Sequence, residues 1–511
     1  MHFLFKKIIL YANEKVKGER RISRKGIAGV TKVTETKALY DVIVIGGGVV
    51  GSLTARELTR LGARVLVLEA KSDVAAGTTA ANSGIVHAGF DALPGTNKAK
   101  LNVRGAEMMP ALTRELSVRY KQIGALVTAS GEEGLKGLEE LFDRGQKNGV
   151  SGLSIVRGEE LRALEPNLSP EYDCALLAKT SGIVCPYGLA IAAMGTAMDN
   201  GAVLLRNTPV TSIESIEGGY LVNKAYFAPA VVDAAGLAAH EVAKMAGVTG
   251  LKQHPRRGEY LLLDRNCGGI VSHTVFTLPT KAGKGILVSP TADGNLLLGP
   301  TAEDLPEGAN CAVTSAGQDK IIETARRMVP SVPVGGRITS FAGLRAVGES
   351  GDFEITFRNG FLALTGIESP GLSAAPAIAE LIGQTLGKAG LLPEKPMANF
   401  NPVRTVVRPK ELDDVARDAL IRRDPAYGRI VCRCEEVSEG EIRDALRQNP
   451  PALTLDGIKR RTRAMMGRCQ GGFCTPSLLS LVSRERKIDE CDVTKGDGES
   501  FIAHERTKGG N

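Results

Sequence analysis

The chain has 511 residues, 43% of them apolar and 24% charged, with 60 glycines, 4% aromatics and no tryptophan. Such a chain can bury a large core across about three domains, which excludes collagenous, disordered and small disulfide-stapled classes and favours an α/β protein over an all-β sandwich. The net charge of +7 does not mark a nucleic-acid binder: of 64 basic and 57 acidic residues, ten and three lie in residues 1–39, which leaves the body from Tyr40 onward with 54 of each.

Residues 1–39 form a basic extension, too charged for a secretory signal and with apolar runs too short to span a bilayer. It is expected to be a disordered arm, a weak membrane-surface or partner contact, or a mis-assigned start. Tyr40-Asp-Val-Ile-Val-Ile45 then reads as a buried strand, Ser52–Leu61 as a helix ended by Gly62, and Arg64–Leu68 as a second strand ending at Glu69. Between strand and helix stands Gly46-x-Gly48-x-x-Gly51. Its first glycine permits a tight turn, its second lets the backbone approach a pyrophosphate, and its third allows close helix packing. N–H groups at the helix start face the phosphate charge, and Glu69, 18 residues past Gly51, can accept hydrogen bonds from a ribose. This βαβ unit predicts a dinucleotide site.

Helical and strand segments alternate to about residue 390. Residues 393–430 are rich in Pro, Arg and Asp and read as a linker that wraps a surface. Cys432-x-Cys434 and Cys469-x4-Cys474 follow, 34 residues apart. An odd cysteine total with no secretory signal argues against a disulfide framework, so these thiols read as metal ligands. Four thiolates can hold a [2Fe–2S] cluster; zinc is the alternative, although its sites more often use CxxC knuckles. Between the pairs, Ser438-Glu-Gly-Glu441 and Leu455-Asp-Gly-Ile-Lys459 read as helix starts. Arg460, Arg461, Arg463 and Arg468 are expected to offset the charge of an anionic cluster. The residues from 484 onward read as a loose polar tail.

Three segments carry a resemblance. Gly77-Thr-Thr-Ala-Ala-Asn-Ser-Gly84, Val231-Val-Asp-Ala-Ala-Gly236 and Gly366-Ile-Glu-Ser-Pro-Gly-Leu-Ser373 resemble the flavin-contacting segments of the D-amino acid oxidase-like superfamily, over about residues 40–390. The resemblance implies an FAD with its adenosine on the βαβ unit and its isoalloxazine between two domains. It assigns flavin contacts to Gly46, Gly48, Val49, Val50, Gly51, Glu69, Thr78, Thr79, Asn82, Ser83, Gly84, Val210, Ala235, Gly236, Gly343, Gly366, Ile367, Gly371, Leu372 and Ser373. The cysteine set resembles the bacterioferritin-associated-ferredoxin-like (BFD-like) [2Fe–2S] domain, similar to the one that ends a chain of bacterial anaerobic glycerol-3-phosphate dehydrogenases; its ligands are Cys432, Cys434, Cys469 and Cys474.

The expected fold is therefore α/β: a Rossmann-like FAD-binding domain with an inserted α+β substrate domain over 40–392, a linker over 393–430, a small helical [2Fe–2S] domain over 431–482 and a polar tail over 483–511. Asn82-Ser-Gly-Ile-Val-His-Ala-Gly89 and Lys98–Gly105 resemble the corresponding stretch of L-2-hydroxyglutarate dehydrogenases. Oxidising a secondary alcohol needs a proton acceptor at the hydroxyl, and an imidazole suits it. His87 is the candidate and His254 the reserve, with a packing or flavin-contact role as the alternative for His87. Phe341-Ala-Gly-Leu-Arg345 resembles the superfamily segment whose arginine faces the substrate anion, with Ala346 where proline is frequent. A guanidinium grips phosphate or carboxylate through paired hydrogen bonds, and Arg257 and Tyr260 are candidates for a second wall.

The resemblance implies oxidation of a small anionic alcohol, glycerol 3-phosphate first, with electrons passing through the cluster to a redox partner subunit or quinone. The alternatives are L-2-hydroxyglutarate or another 2-hydroxy acid, an amino or imino acid, or an electron-transfer subunit, which would need neither base nor clamp. The expected location is cytoplasmic, at most peripheral at the inner face of a membrane.

Overall fold

The computed structural model describes residues 40–278 and 285–504, so the expectation for the basic extension lies outside the described residues. Strand β1 (Val42–Ile45), helix α1 (Val49–Arg60) and strand β2 (Val65–Leu68) build the βαβ unit. Strands β1 and β2 are buried on both faces, and their unbroken apolar run is the mark of a covered parallel sheet. The sheet extends from β2 to Val203–Leu205, and from β1 through β3 (Ala230–Asp233) and Phe361–Thr365 to an antiparallel edge strand, Glu354–Arg358.

Alternation divides the strand residues between two cores. Val42, Val44, Val65 and Val67 pack against Leu58, Met194 and Ile378, whereas Ile43, Ile45, Leu66 and Leu68 pack against Tyr220, Val222 and Val242. Helix α2 (Asn97–Glu115) lies against helix α3 (Gly371–Lys388) so closely that a Cβ on Gly105 would stand 2.1 Å from the Ser373 carbonyl oxygen.

The inserted part is a nine-stranded mixed sheet. Its long antiparallel strands β4 (Gln253–Leu263) and β5 (Arg337–Gly348) pair Arg256 with Arg345, Gly258 with Gly343 and Tyr260 with Phe341. These rungs face the first domain and position the reacting end of the site.

Past α3 the chain runs over the body: the Met397 N–H donates to the Arg60 carbonyl and the Arg404 N–H to the Glu115 carbonyl. The cysteine module follows, with α4 (Glu439–Arg447), α5 (Leu455–Thr462) and α6 (Thr475–Arg486) around Ile442, Ile458 and Leu478. Ser438 caps α4 in a capping box with Glu441, and Thr454 caps α5.

The expected loose tail is corrected. Helix α6 runs into it, the Leu455 and Asp456 N–H groups donate to the carbonyls of Thr494 and Lys495, and Asp497 accepts from the Ser72 N–H and hydroxyl. Polar composition concealed a segment whose hydrogen bonds go to the cysteine module and, through Asp497, to the body. Among the described residues, no helix is long and apolar enough to cross a membrane.

Candidate active site and cluster site

The glycine turn shows three different demands. Gly46 adopts φ +103°, and a Cβ there would stand 2.5 Å from the Ala234 carbonyl oxygen. A Cβ on Gly51 would stand 2.0 Å from the Gly46 carbonyl oxygen. Gly48 meets no such backbone clash and lines the cavity, so the demand for glycine there comes from what the cavity holds. The N-cap Gly48 of α1 has no side chain to cap the helix; the Val49 N–H donates to Thr79 Oγ1 at 3.0 Å, which leaves the next N–H groups of the first turn for an anion. The Glu69 carboxylate accepts from the Gly47 N–H (2.6 Å) and the Lys71 N–H (2.8 Å), which pins the turn to the end of β2. Each of its oxygens keeps a further lone pair for a ribose hydroxyl.

A cavity of about 630 Å³ opens from this turn toward the nine-stranded sheet. Of the expected flavin contacts, Gly48, Val49, Val50, Thr78, Thr79, Asn82, Ser83, Gly236, Gly343, Ile367, Gly371 and Leu372 line it. Gly343 is required: a Cβ there would stand 2.1 Å from the Ala81 carbonyl oxygen. The other expected contacts shape the walls from behind. Gly366 donates its N–H to Gln253 Oε1, Ala235 donates its N–H to Asp233 Oδ1, and Val210 packs in the second core. Gly84 faces a neighbouring cavity at the junction with the cysteine module. Ser373 is also set back; its hydroxyl accepts the His87 N–H at 2.8 Å. An uncapped helix start, bare glycines and a large part-apolar cavity fit an FAD.

His87 follows the short strand Ile85–Val86, lines the cavity half-buried, and lies with its ring 6.5 Å from that of Phe276. Arg345 and Tyr260 line the same cavity. The Arg345 guanidinium donates to the Thr301 carbonyl at 3.0 Å and reaches the Tyr260 hydroxyl. Burial pushes the Tyr260 phenol up, against the pull of that guanidinium. Gly258 makes the room, since a Cβ there would stand 2.6 Å from Arg345 Nη2.

Arg257 is not part of this wall. It sits three residues from Tyr260 on a strand whose faces alternate, so it points the other way and is held by Glu303 (2.6 Å), Glu259 (3.5 Å) and the Ala312 carbonyl. Arg256, on the Tyr260 face, lines the cavity instead and is ion-paired to Asp304. His254 stands outside the cavity lining, with its Nε2 3.0 Å from Asp304. Hydrogen bonds from Arg256, foremost, and from His254 hold the Asp304 carboxyl down at about 2. Lys98 also lines the cavity and pairs with Glu368 at 2.7 Å. The helical spacing of Lys98 and Asn102 placed both on one face, which is the signal that could have identified them.

The four cysteines stand as two neighbouring pairs, Cys432 beside Cys474 and Cys434 beside Cys469. Backbone N–H groups of Met465 and Glu435 point at the Cys432 sulfur, and those of Gly471 and Phe473 at the Cys469 sulfur. The neighbouring Cys474 thiol, foremost, holds the Cys432 thiol below the ordinary thiol range. Among the described residues, no three His, Cys, Asp or Glu side chains gather as for a single metal ion. Paired thiols with N–H donors fit a two-iron cluster held by four thiolates.

The arginines do not serve as expected. Arg460 and Arg461 both bond Asp73 of the first domain, Arg463 bonds Glu435, Asp293 and Asn295, and Arg468 pairs with Asp264. Apart from Glu435, which lies in the module itself, the carboxylates that take their charge belong to the body, so these arginines dock the module. Burial opposes ionisation of Asp73 and Asp293, yet the guanidinium groups outweigh it and hold both carboxyls below the usual carboxylate range.

A family model described as FAD dependent oxidoreductase matches residues 41–385, and one described as BFD-like [2Fe–2S] binding domain matches residues 430–484. A glycerol 3-phosphate dehydrogenase of Caloramator mitchellensis is 42% identical over 478 residues, which is 92% of this chain and 99% of that one. An L-2-hydroxyglutarate dehydrogenase of Arabidopsis thaliana is 30% identical over 419 residues, 70% of this chain and 85% of its own. The FAD-bound, dithionite-reduced L-α-glycerophosphate oxidase of Mycoplasma pneumoniae superimposes with a TM-score of 0.68 at 31% identity, covering 72% of this chain and 99% of that one.

Proposed function

The chain belongs to the FAD dependent oxidoreductase family and carries a BFD-like [2Fe–2S] binding domain, and from that premise we propose that it oxidises glycerol 3-phosphate to dihydroxyacetone phosphate. The observation that carries the reading is Arg345. It is an arginine of the cavity wall that donates to the Thr301 carbonyl, lies beside the Tyr260 phenol and, among the described residues, pairs with no carboxylate, whereas Arg256 beside it is already paired. A guanidinium left in this state at a cavity suits an anionic substrate.

When bound, the FAD supplies a hydride acceptor and the cluster a one-electron carrier. The chain's own residues do the rest. Arg345 holds the phosphate and, with Tyr260 locked against Phe341 by ring stacking at 4.9 Å, fixes the substrate's orientation. The His87 imidazole takes the hydroxyl proton as the alcohol becomes a ketone. Its backbone is anchored through Ser373 to the first turn of α3, which keeps the base at a set distance from the flavin-binding segments. Cys432, Cys434, Cys469 and Cys474 hold the cluster, and electrons leave to a redox partner subunit or quinone.

A second reading, oxidation of a 2-hydroxy acid, is favoured by residues 82–105 and by the Arabidopsis relative. Anaerobic addition of glycerol 3-phosphate, L-2-hydroxyglutarate and amino acids to the FAD-loaded protein separates the readings. Rapid bleaching of the flavin absorbance by glycerol 3-phosphate alone is expected; bleaching by another of these and not by glycerol 3-phosphate overturns the proposal.

A further inference from the structure

One polar side chain of the cavity is left with nothing to bond. Asn102, on the second turn of α2, is only 1% exposed, and among the described residues neither its Nδ2 nor its Oδ1 has a hydrogen-bond partner. Buried carboxamides are almost always satisfied, because stripping a donor and an acceptor of water without replacement is unfavourable. The surrounding groups are already committed. The Gly89 carbonyl accepts from Asn148, and the Ser373 hydroxyl, which accepts from the His87 N–H, donates to the Ile85 carbonyl. Yet Asn102 lines the cavity beside His87, Gly89 and Lys98. Gly89 passes over it at φ +114°, where a Cβ would stand 2.5 Å from Val103 Cγ2 and 2.9 Å from Asn102 Nδ2. The backbone has been stripped of a side chain at this point.

We propose that Asn102 is a ligand-binding residue of this cavity, whose carboxamide pairs with an uncharged donor–acceptor group of a bound molecule. A carboxamide carries donors and an acceptor, so the partner that satisfies both of its ends offers a donor as well as an acceptor, which an ionised phosphate, held by Arg345, does not. Two groups have the required chemistry: the second hydroxyl of the polyol phosphate, next to the one oxidised at His87, and the pyrimidine edge of the flavin ring, which carries an N–H between carbonyls. The substrate arm rests on the proposed glycerol 3-phosphate reading; the flavin arm does not. A dicarboxylate such as 2-hydroxyglutarate lacks that second hydroxyl, so in the substrate arm Asn102 also selects between the two substrate classes.

The test compares wild type with Asn102→Leu, which keeps the volume, and with Asn102→Ala. The substrates are glycerol 3-phosphate and 2-hydroxypropyl phosphate, which lacks the terminal hydroxyl. If the partner is the substrate, wild type favours glycerol 3-phosphate by about tenfold or more in kcat/KM. That preference collapses in both variants while flavin content and spectrum stay unchanged. The resting FAD-loaded Asn102→Leu protein then melts no lower than wild type, because it has lost only an unsatisfied amide. If the partner is the flavin, the preference is kept, and the variants instead lose FAD on dilution and shift the flavin absorbance and reduction potential. The proposal is overturned if both variants match wild type in preference, flavin retention, spectrum and potential. It is equally overturned if they lose both substrates alike with unchanged flavin properties. Should wild type bleach with 2-hydroxyglutarate and not with glycerol 3-phosphate, the function reading fails, while flavin retention and spectrum still decide the role of Asn102.

Discussion

Arg345 and Arg463 are the same residue type in two regions of one chain, and their surroundings give them opposite work. At the cavity, Arg345 bonds a carbonyl, lies beside a phenol and, among the described residues, pairs with no carboxylate. At the junction, Arg463 is buried at φ +72°, where an ordinary side chain is strained, and it bonds two carboxylates and an amide. An arginine already neutralised on all sides is structural glue, whereas one with an unfilled fork is available to an anion. The difference lies in the partners, not in the residue.

The largest effect expected from this contrast is at the junction. Arg463→Ala leaves Glu435 and Asp293 buried with less compensation, and breaking such a site costs about 3–5 kcal/mol. The variant should melt well below wild type and become open to proteolysis within residues 393–430, and Arg463→Lys should recover only part of the loss. An unchanged melting temperature would remove the glue reading. Next comes the proton acceptor. His87→Gln should slow anaerobic flavin bleaching by on the order of a hundredfold, with FAD content intact. In wild type the rate should fall on acidification as the imidazole takes up a proton. Equal rates in wild type and variant would assign His87 to packing.

Arg345→Ala is the mirror image of Arg463→Ala. It should cost roughly 1.5–3 kcal/mol of substrate affinity, about ten- to a hundredfold, yet leave the melting temperature near wild type because no carboxylate is orphaned. Arg345→Lys keeps the charge but not the paired geometry and should fall between. A smaller, pH-dependent effect sharpens the comparison. Asp73 and Asp293 have folded pKa values held below the ordinary range. Their contribution to stability is therefore full above about pH 4 and lost as pH falls through the lowered values. Acid titration should release the cysteine module before the βαβ body unfolds, and a single concerted transition would argue against a separately docked module.

What the sequence made legible follows the same division. The glycine turn, Glu69 and the cysteine spacing are local patterns; the clash of Gly51 with Gly46 lies within the turn, although the Ala234 carbonyl that also crowds Gly46 comes from a distant strand. The assignment of Arg460, Arg461, Arg463 and Arg468 to the cluster failed because a charge in a sequence carries no record of its partner. Asp73 lies 388 residues from Arg461. Arg257 was misplaced for a more local reason. It was grouped with Tyr260 across an odd spacing, and once the segment is a strand, period two puts Arg256, not Arg257, on the Tyr260 face. Polarity alone hides the docking of the tail, since Asp497 accepts from Ser72 of the body and the carbonyls of Thr494 and Lys495 accept from helix α5 of the module.

The most direct test is an anaerobic titration of the FAD- and iron-loaded chain with glycerol 3-phosphate, followed by flavin absorbance and by electron paramagnetic resonance. Bleaching of the flavin band together with the signal of a reduced [2Fe–2S] cluster, the two accounting for both electrons of each alcohol oxidised, is the result expected. A flavin that bleaches while the intact cluster stays oxidised and silent in excess substrate, or one that does not bleach at all, contradicts it.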